Sequence, residues 1–269
     1  EATRGQLLFG AEGRLVDTVY SSTCGGHTED NEAVWGTPPS PHLRGRPDVW
    51  ETQMVVEGSD GAGSQGLIRR TRTAGAAEGG ETSAAGGTTT GAAPGLPPAP
   101  EAGSAFEGVP PTNLSPGGSR EALEAFLART EGWMCGASSF ARPEKLRWTR
   151  EFSDAALAVR LAPLGVGKIE SMEVLGRGAS GRAIGLRLRG TEGEVEIRGE
   201  LNIRRLFGNL NSSLFVIDRL PGGWRFRGAG WGHGVGMCQM GAIGRAERGA
   251  DHEAILRHYY PGSELRKLY

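Results

Sequence analysis

The chain has 269 residues, of which 38% are hydrophobic and 23% are charged, so it can bury a core and form one or two domains. Thirty basic and thirty-one acidic residues leave a formal net charge of −1, which disfavours nucleic acid or an anionic membrane surface as the main partner. No apolar run approaches the roughly 20 residues of a membrane span. The chain starts at Glu1 without a signal peptide, which indicates a processed or truncated piece.

The first elements are two short β-type runs, QLLF at 6–9 and RLVDTVY at 14–20, which predict a hairpin. From 59 to 118 the composition shifts to Gly, Ala, Thr, Ser and Pro, and such a segment cannot bury enough apolar surface to offset its chain entropy. We therefore predict a first domain part over 1–58, a disordered low-complexity linker or insertion over 59–118, and the remainder of the same domain over 119–269.

Order is predicted to resume at Ser119, an N-cap residue type, with a helix that carries Leu123, Phe126 and Leu127 on one face. A small, mostly antiparallel sheet is then predicted from β-like runs at 156–162, 168–175, 182–189 and 194–198. The remaining predicted elements are a helix over 201–207, a hairpin of 213–219 with 224–227, a helix over 242–248 and a last helix from the Asp251 cap through His258. The predicted fold class is α+β, with small sheets, a few short helices and glycine-rich loops that line a groove.

The stretch GAGWGHGVGMCQMGA at 228–242 has glycine at every second position from Gly228 to Gly236. If it is extended, the glycines share one face, which lets a backbone or ligand approach, and Trp231 and His233 share the other. An indole beside an imidazole suits a sugar, which has apolar C–H faces and polar edges. A glycine-rich core crossing, with Trp231 buried and His233 bonded to a backbone carbonyl, fits the pattern at least as well.

A second motif, YSSTCGGHTEDNEAVW, occupies 20–35. Gly25 and Gly26 predict a tight turn that exposes Thr23, Cys24, His27 and Thr28 at a strand end. Cys24 and His27 have the C-x-x-H spacing of two metal ligands, but a structural zinc needs four and no second pair matches, so we predict no metal and no cofactor. A Cys–His nucleophile pair is conceivable, and a small cysteine buried under the turn is commoner.

The three cysteines, Cys24, Cys135 and Cys238, lie far apart along the chain. They can form at most one disulfide, which leaves one thiol over. This pattern does not identify the redox compartment.

Several blocks of the chain occur in an order that resembles the stage II sporulation protein D (SpoIID/LytB) family. They are YSSTCGGHTEDNEAVWG, SPHLRGRPD, ASGRAIGLRLRG, IRRLFG, SSLFVI and GAGWGHGVGMCQMGAIGRAERGADHEAILRHYYPGSEL. The resemblance covers roughly 1–58 and 119–269. It implies action on bacterial peptidoglycan and an extracytoplasmic location, because members of that family are lytic transglycosylases that cleave glycan strands, and relatives are enhancers of an N-acetylmuramoyl-L-alanine amidase.

The resemblance also implies a groove for a glycan strand, in which Gly228 to Gly236 give the strand room. Its substrate-binding residues are then Trp231, His233 and Gln239, with Thr23, Gly25, Gly26 and His27 on the opposite rim.

Three departures from the family pattern bear on activity. The catalytic glutamate of the family lies in a helix of the type E-A-L-K-A-Q-A-x-A-A-R-T-Y, which is expected upstream of residue 1, and the zinc-binding residues of some relatives lie upstream too. The run EALEAFLART echoes that helix, but Glu121 is interpreted as a first-turn glutamate favoured by the helix dipole. Ser21 stands where many relatives have histidine. We therefore expect no catalytic residue in this chain.

The leading hypothesis is a glycan-binding part of a peptidoglycan-acting protein whose parent is a lytic transglycosylase. The alternative is a non-catalytic cell-wall module that enhances an amidase. The expected partners are peptidoglycan glycan strands and, in the alternative, a cell-wall amidase, with no nucleic acid.

Overall fold

The computed structural model describes residues 3–50 and 119–269. The segment 59–118, predicted as a linker, lies outside the described residues. In the described part the fold is α+β, as predicted, with short helices and four small sheets, most of them antiparallel. None of the helices in this part has the length and apolar character that a membrane span requires.

The strands are short and spread along the whole chain. They are β1 Gln6–Phe9, β2 Tyr20–Ser21, β3 Arg147–Ser153, β4 Ile169–Arg177, β5 Ala183–Gly190, β6 Gly193–Arg198, β7 Phe215–Leu220, β8 Gly223–Ala229, β9 Met237–Cys238 and β10 Glu264–Lys267. The helices are α1 Asn31–Trp35, α2 Arg120–Ala128, α3 Met134–Ala137, α4 Pro143–Leu146, α5 Asp154–Leu161, α6 Glu200–Leu206, α7 Gln239–Glu247 and α8 His252–Tyr259.

Two antiparallel three-stranded sheets, in the orders β3-β8-β7 and β4-β5-β6, form the larger part of the β structure. The predicted strands and hairpins at 168–175, 182–189, 194–198 and 213–227 are confirmed in them. Strands β1 and β10 join the two ends of the chain in a separate antiparallel pair. Strands β2 and β9 pair in parallel, which places the motif at 20–35 beside the glycine-rich stretch.

Two hydrophobic clusters hold these elements together. The first takes side chains from both described ranges, among them Leu43, Val49, Phe126, Trp133 and Val235. The second lies between the three-stranded sheets and α5 and α6, and includes Leu157, Leu186, Phe207 and Phe226. The first cluster therefore packs residues of 3–50 against residues of 119–269.

The predicted helix starts are confirmed at two caps. The Ser119 side chain accepts a hydrogen bond from the Ala122 N–H at 3.1 Å, and the Asp251 side chain accepts one from the Ala254 N–H at 2.8 Å. Each bond satisfies one of the backbone donors that a helix start leaves without an intrahelical partner.

The strand predicted over 156–162 is wrong, since these residues belong to helix α5 and the turn after it. Ser153 caps the helix by accepting from the Ala156 N–H at 3.1 Å. Leu157 and Leu161 are buried one turn apart, whereas Val159 between them is 80% exposed. Helical spacing and the cap therefore outweighed the apparent β propensity of ALAVRLA.

The predicted hairpin at 6–20 forms only next to its turn. Phe9 and Leu15 make an isolated antiparallel bridge, the Val16 N–H donates to the Leu8 carbonyl at 2.9 Å and the Gly10 N–H donates to the Arg14 carbonyl at 2.8 Å, whereas strand β1 as a whole pairs with β10. From the second predicted strand only Tyr20 lies in regular β structure, as the first residue of β2. Strand β10, the partner of β1, and strand β9, the partner of β2, are distant in sequence, so the local pattern could not indicate these pairings.

Candidate functional site

The glycine-rich stretch is a loop, not an extended strand. Strand β8 ends at Ala229, after which Gly230, Gly232, Gly234 and Gly236 have φ of +80°, +107°, +84° and +69°. These values lie in the region that residues with a side chain rarely adopt. The condition of an extended strand with all glycines on one face is therefore not met beyond Ala229, and the alternation instead reflects a backbone that needs glycine at every second residue.

The space beside these glycines is filled by the protein itself. A Cβ on Gly230 would lie 2.8 Å from the Thr23 carbonyl oxygen, and one on Gly236 would collide with the Val19 carbonyl. The expectation that the glycines make room for a glycan strand on that side is corrected accordingly. They allow the loop to pack directly on the chain segment 19–24.

Backbone hydrogen bonds join the loop to the motif at 20–35. The Trp231 N–H donates to the Thr23 carbonyl at 2.7 Å, and the Thr23 N–H donates to the Trp231 carbonyl at 3.2 Å. The Glu29 N–H donates to the Gly234 carbonyl at 2.9 Å. The structure thus brings together the two motifs that carry the predicted site residues.

Exposed aromatic side chains surround this junction. Trp231 is 40% exposed, Trp35 at the end of α1 is 45% exposed and Tyr20 is 57% exposed. The His233 ring lies 5.2 Å from the Trp35 ring between centroids, and the Lys145 Nζ lies 5.0 Å from the Trp231 ring. We call Tyr20, Trp35, His233 and Trp231 the aromatic surface. Trp35, Tyr20 and Lys145 were missed as site residues, although the first two belong to the motif at 20–35.

His233 stabilises the loop with both of its ring nitrogens. Nδ1 accepts a hydrogen bond from the Val235 N–H at 3.0 Å, and Nε2–H donates to the Tyr20 carbonyl at 3.1 Å. Burial, with the charge of Arg182 nearby, lowers the pKa of His233 to about 4. This neutral imidazole therefore holds the loop, as in the core-crossing interpretation, while Trp231 remains exposed.

The turn at Gly25 and Gly26 exists, with φ of +82° and +114°, but it is buried. The predicted exposure of Thr23, Cys24, His27 and Thr28 is therefore wrong. His27 Nδ1–H donates to the Thr28 carbonyl at 2.7 Å, and burial lowers the pKa of His27 to about 4. Packing explains the glycines, since a Cβ on Gly26 would lie 2.7 Å from the Trp133 ring.

Gln239 is the remaining residue of the predicted site. It is the first residue of α7 and its side chain is exposed. It follows Cys238, so it lies next to the β2–β9 pair. Of the seven predicted substrate-binding residues, Trp231 and Gln239 are thus the ones with exposed side chains.

The structure also assembles a cluster that sequence reasoning did not identify. Cys24, Asp48, Cys135 and Cys238 are all 0% exposed, and their sulfur and carboxylate oxygen atoms lie within 4.8 Å of one another. All three cysteines are free thiols. His27 is not among the grouped donors, so the C-x-x-H pair does not form. The four residues are spread over the chain, and no spacing motif could have revealed them.

Burial raises the pKa of two carboxyl groups in the described residues, Glu29 and Asp48, and both are 0% exposed. Glu29 accepts hydrogen bonds from the Ser180 side chain at 2.6 Å and the Ser180 N–H at 3.2 Å. Glu121 lies exposed in the first turn of α2, where hydrogen bonds from its own backbone and from Ser119 lower its pKa. A general acid for sugar cleavage needs the opposite shift at an accessible carboxyl group.

Comparison with known proteins gives partial matches. A family model described as "Domain of unknown function (DUF8618)" matches residues 110–236. A protein of Brachyspira hyodysenteriae (strain ATCC 49526 / WA1), named as uncharacterized, is 44% identical over 61 residues, which are 23% of this chain and 16% of that protein. The protein named "Amidase enhancer" of Bacillus subtilis (strain 168) is 55% identical over 54 residues, which are 20% of this chain and 8% of that protein. The chain thus matches only a small fraction of the length of each relative.

Proposed function

We propose that the chain binds glycan strands of bacterial peptidoglycan through the aromatic surface. The observation that carries this proposal is a pair of exposed indoles. Trp35 lies on helix α1 and Trp231 lies on the glycine-rich loop, and the two motifs bring these elements together. Tryptophan is highly buried on average, so two exposed indoles in one small region need an explanation. Indole rings stack on the C–H faces of sugars and contribute large contact areas.

Polar groups beside the rings complete a surface suited to a sugar. The Lys145 ammonium lies over the Trp231 ring and 3.5 Å from the Ser22 hydroxyl. Gln239 offers an exposed amide near the same strand pair. These groups would donate and accept hydrogen bonds at the polar edges of the sugar, which is how a mainly apolar binding surface acquires orientation and specificity.

The described residues are proposed to bind a glycan strand without cutting it. Lytic transglycosylation needs an accessible carboxyl group of raised pKa, and the two groups with that shift in residues 3–50 and 119–269 are buried. Lytic transglycosylase activity is therefore proposed only for the parent protein, where the family resemblance implies a glutamate in an upstream helix.

A second candidate function is enhancement of a cell-wall amidase. The partial similarity to the Bacillus subtilis protein of that name supports it. In this case the aromatic surface would hold the chain on the glycan while the amidase acts on the same wall. Both functions place the protein outside the cytoplasmic membrane, where peptidoglycan lies.

The two functions are separated by their products. The chain, and a version extended upstream, are incubated with purified peptidoglycan, with and without stem peptides and with and without an N-acetylmuramoyl-L-alanine amidase. Mass spectrometry then detects 1,6-anhydro ends, which report transglycosylation, or released stem peptides, which report amidase action. We expect the chain alone to sediment with peptidoglycan and to release neither product.

The extended version would release 1,6-anhydro ends if the parent is a transglycosylase, whereas an enhancer would increase only the release of stem peptides by the amidase. Glu121→Gln serves as a control within the chain. Cleavage by the chain alone that Glu121→Gln abolishes would contradict the non-catalytic assignment, and failure to sediment with peptidoglycan would contradict glycan binding.

A further inference from the structure

Four potential metal ligands converge in the interior from four separate segments. Cys24 follows β2, Asp48 lies in the loop after α1, Cys135 is in α3, and Cys238 ends β9 and precedes α7. All four are 0% exposed, and their ligand atoms lie within 4.8 Å of one another. Burying three thiols around one carboxylate is costly unless the polar atoms are bonded or bind an ion.

The spacing suits a tetrahedral site. A zinc ion at about 2.3 Å from sulfur and about 2.0–2.2 Å from oxygen holds its ligand atoms roughly 3.5–3.8 Å apart. The Cys24 Sγ and the Asp48 Oδ2 are 3.2 Å apart, and the whole set spans at most 4.8 Å. Side-chain shifts of about 1 Å would therefore complete the coordination.

The aspartate is oriented by partners behind it. Its Oδ1 accepts hydrogen bonds from the Tyr259 hydroxyl at 2.8 Å and from the Arg245 guanidinium at 3.4 Å. This arrangement leaves Oδ2 facing the Cys24 thiol. Metal-ligating carboxylates typically have such hydrogen-bonded outer partners, which fix the direction of the ligand atom.

Cys238 lies in an environment that stabilises a thiolate. Its sulfur accepts hydrogen bonds from the Cys24 N–H at 3.1 Å and the Gly241 N–H at 3.3 Å. It also precedes the nine-residue helix α7, whose N-terminus favours negative charge. The thiolate is the form of cysteine that binds metal.

Nearby positive charge offsets the charge of the ligands. Three thiolates and one carboxylate around a divalent ion leave a surplus of two negative charges. The Arg245 guanidinium lies 3.4 Å from Asp48, and the largely buried Arg147 interacts electrostatically with Cys24 and Cys135. Two guanidinium groups therefore balance the surplus within the core.

We propose that Cys24, Asp48, Cys135 and Cys238 bind one Zn²⁺ ion in a closed structural site. Thiolate ligands favour zinc over magnesium and calcium, which take oxygen ligands. The four protein ligands and the complete burial leave no position for a substrate, so the ion stabilises and does not catalyse. It links the segment that pairs with the Trp231 loop to α3 and α7. This site does not depend on the proposed glycan binding.

The first test is the metal content of the full chain, purified without chelators from cells grown with added zinc and iron. Elemental analysis should find one zinc per chain, and the three thiols should react with a thiol reagent only after denaturation in the presence of a chelator. A folded chain that holds far less than one zinc and has three reduced thiols would overturn the proposal. So would a disulfide among these cysteines, or iron in place of zinc.

The second test assigns the ligands. The metal-free chain is refolded with Co²⁺, which should produce the thiolate-to-cobalt charge-transfer absorption of a tetrahedral site, and competition with Zn²⁺ should remove it. Tyr259→Phe, which keeps the ring but loses the bond to Asp48, should weaken zinc binding about 10- to 100-fold. Asp48→Asn and Cys135→Ser should bind less than one zinc per chain.

His27→Asn is the matched control, because it alters the buried histidine of the same turn outside the proposed ligand set. It should retain one zinc per chain and the cobalt spectrum. Loss of zinc in His27→Asn with retention in Asp48→Asn would overturn the assignment. If the cysteine variants fail to fold, the cobalt spectrum of the unaltered chain and the zinc affinity of Tyr259→Phe still decide the question.

Discussion

The backbones of Thr23 and Trp231 are hydrogen bonded to each other in both directions, at 2.7 Å and 3.2 Å. This pairing joins opposite ends of the described chain and fixes the base of the Trp231 indole. Thr23 is buried and adjacent to Cys24, whereas the indole is 40% exposed. The Thr23–Trp231 pair is thus one of the contacts that connect the buried interior to the surface that we propose as the binding site.

Trp231→Ala should weaken binding to peptidoglycan about 10-fold, because it removes an aromatic contact and its buried area. Tyr269→Ala is the matched control, since Tyr269 is 79% exposed and lies beside Gly5, outside the aromatic surface. Co-sedimentation with purified peptidoglycan measures both affinities. Equal affinity of a folded Trp231→Ala variant and the unaltered chain would contradict the proposed surface.

Gly230→Ala should destabilise the chain more than Gly13→Ala does. Both glycines have positive φ, +80° and +72°, but a Cβ on Gly230 meets the Thr23 carbonyl at 2.8 Å, whereas one on Gly13 meets nothing within 4 Å. Overpacking of this kind costs roughly 1–3 kcal/mol beyond the shared backbone strain. Denaturant unfolding measures the difference, and equal losses would show that close packing of the loop contributes nothing.

His27 should make the chain less stable in mild acid. Burial lowers its pKa from 6.5 to about 4, so below pH 6.5 the unfolded chain binds a proton that the folded chain excludes. Stability is fully present above pH 6.5 and falls by about 1.4 kcal/mol per pH unit as the pH decreases towards 4.

The test of this prediction removes the buried histidine. His27→Gln should reduce the slope of unfolding free energy against pH by about 1.4 kcal/mol per pH unit between pH 6 and 5. Denaturant unfolding at pH 7, 6 and 5 gives the slopes. An unchanged slope in His27→Gln would show that His27 is not buried as a neutral ring.

Leu157→Ala should cost about 2–5 kcal/mol of unfolding free energy, because Leu157 is 1% exposed in the second core cluster. Val159→Ala should change it by less than about 0.5 kcal/mol, since that side chain is 80% exposed on the same helix. A strand over 156–162 would give a different result, because Leu157 and Val159 would then share one face and respond alike.

Local patterns predicted those parts of the fold that local contacts form. The caps at Ser119 and Asp251 mark real helix starts, and the hairpin around Pro221 and Gly222 joins β7 to β8. Helix α5 was not predicted, because over so short a run its apolar residues fit both the helical period of 3.6 and the strand period of 2. The pairing of β1 with β10 was not predicted, because β10 is far from β1 along the chain.

The candidate site shows the same limit. The two motifs and the residues Trp231 and Gln239 stand out in the sequence, but their side-chain exposure depends on which segments pack against them. The alternation of glycine is compatible with an extended strand, whereas Gly230, Gly232, Gly234 and Gly236 have positive φ in a loop that is hydrogen bonded to residues 19–29.

The sequence by itself determined the α+β class, most of the short elements after residue 119 and the two motifs of the site. These features follow from propensity, capping and hydrophobic period, which act over a few neighbouring residues. Only the tertiary structure decided that the glycines admit the protein's own backbone, and that Cys24, Asp48, Cys135 and Cys238 meet in the core. Contacts of this kind arise from burial shared between distant segments, which no spacing along the chain encodes.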